Sequence, residues 1–411
     1  MKVFIPAIYG LVPDQMVSAV ATFTRFCYLV RRHEIGEASL DELGTAVEQF
    51  HRERQVFVDE GVREDFHLPR QHAMMHYQHL IQRFGAPNGL CTSITESKHI
   101  KAVKEPYRRS NKNEPLGQML LTNQRIDKLA AARVQFGATN CLLPLGVLAA
   151  PLDQGERMDV DEEEDEEDAV AAEGVTCDGD VKLARYHVKA VPKTLDSIGN
   201  YFALPQLHDN IRRYLHDYGS RSDRNAVFGM DMPIDHCPWV NAALRIKVFP
   251  SAVATYHAPS DLSGIGGMHR ERIRSTPSWK NGPPRHDCVL LERQRNEPGF
   301  KGLLAAQVLL FFSFSYEGEE HACAYVHWFE RVGDEPHPVT GMWQVRPDFN
   351  EAGNRLASVV SVDNILRGVH LLPVFAEEYT DLTMTFSDTL YAFHTYFINR
   401  YSDYHANEIA Y

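Results

Sequence analysis

Two runs decide the fold: AAQVLLFFSFS at Ala305–Ser315 and ACAYVHWF at Ala322–Phe329. Both are short and rich in Val and aromatic residues. Leu244–Phe249, Cys288–Leu291 and Ser358–Val362 share this character, and Gly, Pro and Asp punctuate the segments. That pattern predicts antiparallel strands from about Cys237 onward, most simply a small barrel or sandwich. After them Ser387 is expected to cap a final aromatic helix, with Leu390, Phe393 and Phe397 on one face, docked on the barrel or a neighbouring domain. The longest apolar runs, Cys141–Leu152 and Leu303–Tyr316, are interrupted and too short to span a bilayer.

The periodicity changes upstream. Val17, Val20, Phe23, Phe26 and Val30 recur at helical spacing over Asp14–Arg32. Ser39-Leu-Asp-Glu42 reads as a capping box opening a helix to about Glu60, with Leu43, Val47, Phe50 and Phe57 on one face. Pro69 suits a first helical turn, and Gly85 closes the following helix. A helix from about Ser93 should bend or stop before Pro106, and another runs from about Pro115 to Phe136, stopped by Gly137. Two short helices are expected over 181–230. The whole reads as an α+β protein with four parts: a helical region 1–137, an acidic disordered linker 138–180, a short helical segment 181–236, and a β-rich domain 237–411 with a C-terminal helix.

The 411 residues carry a net charge of −13, which taken whole argues against a nucleic-acid partner. The distribution reverses that argument. Residues 136–181 hold 1 basic and 14 acidic side chains, a net of −13, so the remainder sums to zero. Asp159–Asp168 has nine acids in ten positions, a self-repelling block that reads as a solvated spacer or a contact for basic proteins. Residues 66–135 and 182–285 are each +7, and 286–411 is −10. The 7 Cys are scattered without a CxxC, which fits reduced thiols better than a disulfide framework or structural zinc site. The first residues, with Pro6 and Pro13 and no A-x-A pattern, do not read as a signal peptide. A soluble nuclear or cytoplasmic protein is expected, with no membrane partner.

Several long strings carry a resemblance: Phe84–Asn111 (FGAPNGLCTSITESKHIKAVKEPYRRSN), Leu116–Arg133 (LGQMLLTNQRIDKLAAAR) and Ser251–Arg274 (SAVATYHAPSDLSGIGGMHRERIR). Val326-His-Trp-Phe329, Thr340-Gly-Met-Trp343 and Tyr404–Tyr411 (YHANEIAY) add to it. Together they resemble the C-terminal part of Plavaka-type transposases, fungal relatives of the CACTA superfamily. The resemblance implies a nuclear DNA cut-and-paste enzyme of RNase H-like origin. Three carboxylates would hold two Mg²⁺ or Mn²⁺ ions that stabilise the attacking and leaving oxygens. In such enzymes the first two acids precede the helical region with which this chain begins. Asp14, Asp41, Asp59 and Asp65 fall on predicted helices or turns rather than at strand ends. The chain is therefore expected to be a remnant or partial transposase, with an incomplete triad and no bound metal of its own, inactive alone and DNA-binding.

Within that frame Glu96 is the candidate third carboxylate and metal ligand, preceding a basic helix. Ser93-Ile-Thr-Glu96 is equally a capping box, and the two roles can coexist. Lys98, Lys101, Lys104, Arg108 and Arg109 form a candidate phosphate-contacting surface, with Ile100, Val103 and Tyr107 on the opposite face. A solvated helix face is the plainer alternative. His72, His76 and His79 share a helical stripe that could bind metal, but no acid lies between residue 66 and Glu96 to complete a site. The loop Ser263–Arg274 joins Gly264, Gly266 and Gly267, whose amides could cup a phosphate, to Arg270, Arg272 and Arg274. The alternative there is a tight turn whose arginines pair with the acidic 286–411 module. A second functional class is a protein-interaction or chromatin-associated module built from the acidic linker and a β-domain exposing Trp328 and Trp343.

Overall fold

The computed structural model describes residues 3–90, 99–137, 180–219, 233–261, 267–293, 297, 299–375, 383–385 and 387–411. Their strands are β1 (Asp180–Leu183), β2 (Ile246–Phe249), β3 (Ser251–His257), β4 (Met268–Thr276), β5 (Arg285–His286), β6 (Cys288–Glu292), β7 (Leu303–Tyr316), β8 (Glu319–Val332), β9 (Gln344–Pro347), β10 (Ala357–Ser361), β11 (Ile365–Val369), β12 (Leu371–Pro373) and β13 (Tyr396–Ile398). The two deciding runs pair as the long hairpin β7–β8, around which everything else is laid.

The larger sheet follows the order β11-β6-β7-β8-β9-β13-β12. Its first and last strands are separated in sequence by His370 alone, so the sheet is a nearly closed antiparallel barrel. Asn399 clasps the closure, its backbone N–H donating to the His370 carbonyl at 3.0 Å while its side chain meets the His370 ring at 3.0 Å. β2 and β10 extend the far ends of β7 and β8. A smaller sheet, β1-β3-β4-β5, covers one face of the hairpin, with Ala252, Ala254 and Ile273 packed on Val289, Ala306, Val308 and Val326.

The opposite face of the hairpin is covered in two parts. The helices Leu195–Tyr201 and Leu207–Gly219 cover Leu310, Phe312, Cys323 and Tyr325. Beyond them Ala305 and Phe329 turn into the barrel interior with Trp343, Val345 and Tyr396. Both faces of β7 and β8 are thus dry, which is why they read as near-continuous apolar runs. A register shift between Val308 and Leu310 changes the parity of β7, so Gln307 and Leu310 lie on one face.

Phe4–Ile8 and Asp14–Leu29 pack on the barrel, where Ile5, Val17 and Ala21 meet Met342, Leu372, Phe397 and Tyr401. Tyr28 Oη donates to the Tyr401 carbonyl at 2.7 Å. Met1–Ala86 and Glu163–Tyr411 accordingly form one compact unit and Pro87–Glu162 another, unlike the expected helical domain 1–137. The exchange of apolar side chains between the first helices and the barrel, which helical periodicity cannot reveal, accounts for the difference.

Several boundaries also differ from the sequence reading. The helix expected from Ser39 begins at Glu37 and breaks at Arg54, with a separate turn at Val56–Asp59. Ser39 and Glu42 do not cap it; Glu42 instead pairs with Arg25 at 2.8 Å and Arg32 at 3.4 Å. β1, pairing with β3, takes Asp180 out of the expected linker and adds a strand to the expected helical segment. The expected helix after Ser387 is only Thr389–Ala392, because Tyr396–Ile398 leaves it to join the barrel. The terminal helix is Tyr404–Ala410. Trp328 and Trp343 are buried, 3% and 4% exposed, with indole N–H groups donating to Ser358 Oγ and the Ala410 carbonyl.

β11 offers a test of this packing. A Cβ on Gly368 would stand 2.8 Å from Oε1 of Glu271, whose other oxygen accepts from the Gly368 N–H at 3.1 Å. Gly368→Ala is expected to lower the unfolding free energy by about 1–3 kcal/mol in urea titrations. In a Glu271→Ala background that cost should fall below about 0.5 kcal/mol. An unchanged cost would place the clash elsewhere.

Candidate functional site

β4 runs MHRERIRST over Met268–Thr276, and strand alternation divides it into two sets. His269, Glu271, Ile273 and Ser275 face inward, with Ile273 and Ser275 buried, whereas Arg270 is exposed and Arg272 and Arg274 are half-buried on the outer side of the small sheet, whose end is closed by the buried Met268. The segment expected as an arginine loop is therefore a strand in its second half. Pairing with β3, residue for residue from Ser251–Arg274 to His257–Met268, fixes it there. Gly264 and Gly266 lie outside the described residues. Gly267 has φ +76, and a Cβ there would stand 2.8 Å from His257 Nε2, so this position requires glycine.

Register assembles the rest of the outer face. Val253 of β3 stands between Lys182 of β1 and Arg272, putting the two cations on one face two strands apart, and Thr276 places Arg285 of β5 diagonally beside Arg274. Trp279, in the β4–β5 turn, gathers three cations: Arg274 at 4.5 Å from its ring centroid, Arg285 at 5.1 Å and Lys280 at 5.6 Å. Such contacts hold cationic groups over an aromatic face. Asp180 pairs with Lys182 at 2.5 Å and Asp287 with Arg285 at 2.9 Å. Trp279, Lys280 and Arg285 are not among the residues the sequence reading picks out; the alternation Arg270-x-Arg272-x-Arg274 followed by Trp279 is the signal that points to them.

Under this face β4 is anchored by a buried ionic cluster. Arg367 of β11 holds Asp403 in a two-pronged pair at 2.8 and 2.6 Å and approaches Glu271 at 3.5 Å. Its guanidinium lies 4.7 Å from the centroid of the Tyr256 ring, on which His405 stacks at 4.4 Å. Burial works to lower the Arg367 pKa, but Glu271 and Asp403 outweigh it and hold the cation firmly charged. Burial likewise works to raise Asp403, and its hydrogen bonds and charge pairing with Arg367 bring it below its ordinary value. Glu271 is raised by burial despite Arg367, and Asp261 by burial and the Asp403 charge. Asp261 and Asp403 accept from backbone N–H groups of Tyr404, His405 and Ala406, capping the terminal helix.

The other expected sites are placed differently. Glu96 and Lys98 lie outside the described residues. Lys101 belongs to the π-helical turn Ile100–Lys104. That turn leads into the helix Glu105–Arg109, so of the expected bend or stop before Pro106 the chain does not stop but passes through a local π-helical irregularity. The lost Pro106 N–H leaves the Ala102 carbonyl available, and Asn123 Nδ2 donates to it at 2.7 Å. Lys104, Arg108 and Arg109 are exposed, but so are Ile100, Val103 and Tyr107; the wider π turn does not separate a basic from an apolar face as α spacing would. His72, His76 and His79 are exposed; the rings of His72 and His76 meet edge to face at 5.1 Å, while the 3₁₀ turn at Met74–His76 separates them from the helix that carries His79. Among the described residues no group of three His, Cys, Asp or Glu is placed to hold a metal ion. No described helix is long and apolar enough to cross a membrane.

Comparisons of the chain with protein-family models, curated proteins and solved structures returned no match.

The cluster predicts a pH dependence. His405 is lowered from 6.5 to about 4 by burial and then by Arg367, which donates to its Nδ1 at 3.1 Å. Between those values the unfolded chain binds the proton and the folded chain does not. This contribution to stability is therefore full above the unfolded value and lost as pH falls. From pH 7 to pH 5 the unfolding free energy should drop by about 1–2 kcal/mol more in wild type than in His405→Gln, read by chemical denaturation at each pH. Parallel profiles would contradict it.

Proposed function

We propose that this chain is a transposase-derived DNA-binding protein that contacts the phosphate backbone through the outer face of its small sheet. The observation that carries this reading is the row Arg270, Arg272, Arg274 on one strand, with Arg285 and Lys280 joining Arg274 around Trp279. Alternate residues on a strand stand about 6.8 Å apart, so the three arginines cover about 14 Å. That length equals the rise of about four base pairs along the axis of a duplex. Guanidinium groups suit phosphate oxygens in geometry and charge, and contacts of this kind position a protein without reading sequence.

The transposase part rests on the resemblance of the quoted sequence strings, one of which, Ser251–Arg274, contains this same row. The basic stretch Lys98–Arg109 belongs to the proposal as a second phosphate-contacting segment, with Lys104, Arg108 and Arg109 exposed. For the interaction-module alternative, Trp328 and Trp343 are core residues and offer no exposed surface, and the acidic linker lies outside the described residues.

Fluorescence anisotropy of a labelled duplex against the full chain tests the reading. Binding should be sequence-tolerant and weaken steeply with salt. Replacing Arg270, Arg272 and Arg274 together by Ala should reduce the slope of log K against log salt by about 2–3, equally for unrelated duplexes. A thermal melt matching wild type confirms that the fold is kept. An unchanged slope and affinity in the folded triple variant would remove the β4 face from the proposal.

A further inference from the structure

On the hairpin face opposite the small sheet, two apolar clusters meet at a polar step. Leu310, Phe312, Cys323 and Tyr325 belong to the cluster under the helices, and Ala305 and Phe329 to the barrel interior. Between them stand Gln307 and His327, directly paired across the ladder. A cavity of about 690 Å³ opens at this step, walled by the 201–206 connection, Pro277 and Pro284 of the β4–β5 turn, and Arg355. His286, Tyr325, His327 and Tyr391 complete its polar and aromatic lining.

The wall is chemically lopsided. Among the described residues no carboxylate lines the cavity, and Arg355 supplies its one guanidinium. Arg355 is held between the Phe329 and Phe349 rings at 5.0 and 5.6 Å, with Nη2 donating to the Trp328 carbonyl at 3.0 Å. Its Nε is buried without a hydrogen-bond partner, as are Oε1 of Gln307 and Nδ1 of His327. Buried polar atoms left unpaired are costly, and three in one neighbourhood mark a polar step behind the cavity wall. Gln307 Nε2 already reaches Tyr391 Oη at the mouth, 3.2 Å away. Burial opposes the charge on Arg355 and lowers both His286 and His327.

We infer that this cavity is a binding site for a small aromatic carboxylate, its carboxylate facing Arg355 and its ring lying among Phe202, Tyr325 and Tyr391. One fixed cation in a site of low polarity matches one negative charge, which favours a carboxylate over a phosphate dianion. The aromatic and proline walls accept a planar apolar body, and the volume falls within the range of small-molecule pockets. The site is separate from the basic outer face of β4, though the β4–β5 turn borders both.

Isothermal titration of the full chain with benzoate, 4-hydroxybenzoate and indole-3-carboxylate tests it. At least one should bind one-to-one with Kd below about 1 mM, and its neutral carboxamide at least about 10-fold more weakly. Arg355→Gln should weaken the carboxylate by at least about 10-fold without affecting the carboxamide. Because Arg355 also caps a carbonyl, Tyr391→Ala at the exposed mouth serves as a second variant and should weaken both ligands about 3- to 10-fold. Absence of saturable binding by all three acids, or equal binding of acid and amide, would overturn the inference. So would inorganic phosphate competing better than the acids.

Discussion

One buried guanidinium ties together parts of the chain that are far apart in sequence. Arg367 sits in β11, at the seam where the barrel closes on itself. It reaches Asp403 at the start of the terminal helix and Glu271 on the inner side of β4, and it stacks on Tyr256 of β3. Without it two half-buried carboxylates would face a third, Asp261, with no opposing charge, the arrangement in which losing one partner costs most. The barrel seam, the small sheet and the terminal helix therefore depend on the same ion. Hydrophobic burial supplies the bulk of the folding drive, but it is non-directional. The β3 register and Ile273 set which face of β4 points outward, and the Arg367 cluster ties its inner side to the barrel seam.

That placement gives β4 its two-sided character. Glu271, turned in, is consumed by the anchor. Arg270, Arg272 and Arg274, turned out, are left to define a surface with Trp279 and Arg285. The same hairpin produces the second polar feature by a different route. The register shift at Leu309 keeps Gln307 and His327 on the face that is otherwise apolar, at the boundary between the cluster under the helices and the barrel interior. Polar side chains retained at such a boundary are expensive unless they meet a ligand or one another.

The sequence made some of this legible. Val and aromatic content located β6, β7, β8 and β10, and turn residues marked their ends. Pro69 and Gly85 stood where helices begin and end. What failed did so for identifiable reasons. Ser39 and Glu42 form a capping-box pattern, but Arg25 and Arg32 compete for Glu42 more effectively than a backbone amide does. Phe397 matches helical spacing with Leu390 and Phe393, yet pairing with Leu372 draws it into the barrel. Gly266-Gly267 made Ser263–Arg274 read as a loop, although the arginines alternate with His269, Glu271 and Ile273 as a half-buried strand would. The parity change at Leu309 hides the faces of β7 from any period-two reading. The polar step could not be foreseen, because Gln307, His327 and Arg355 meet only through long-range pairing.

The central claim is that Arg367 holds the barrel seam, β4 and the terminal helix as one cooperative element. Native-state hydrogen exchange of Arg367→Met against wild type tests it most directly. Protection should fall together in Met268–Thr276, Ile365–Val369 and Tyr404–Ala410, while Glu37–Glu53 keeps its wild-type rates. Loss confined to β11, or unchanged protection throughout, would contradict the account.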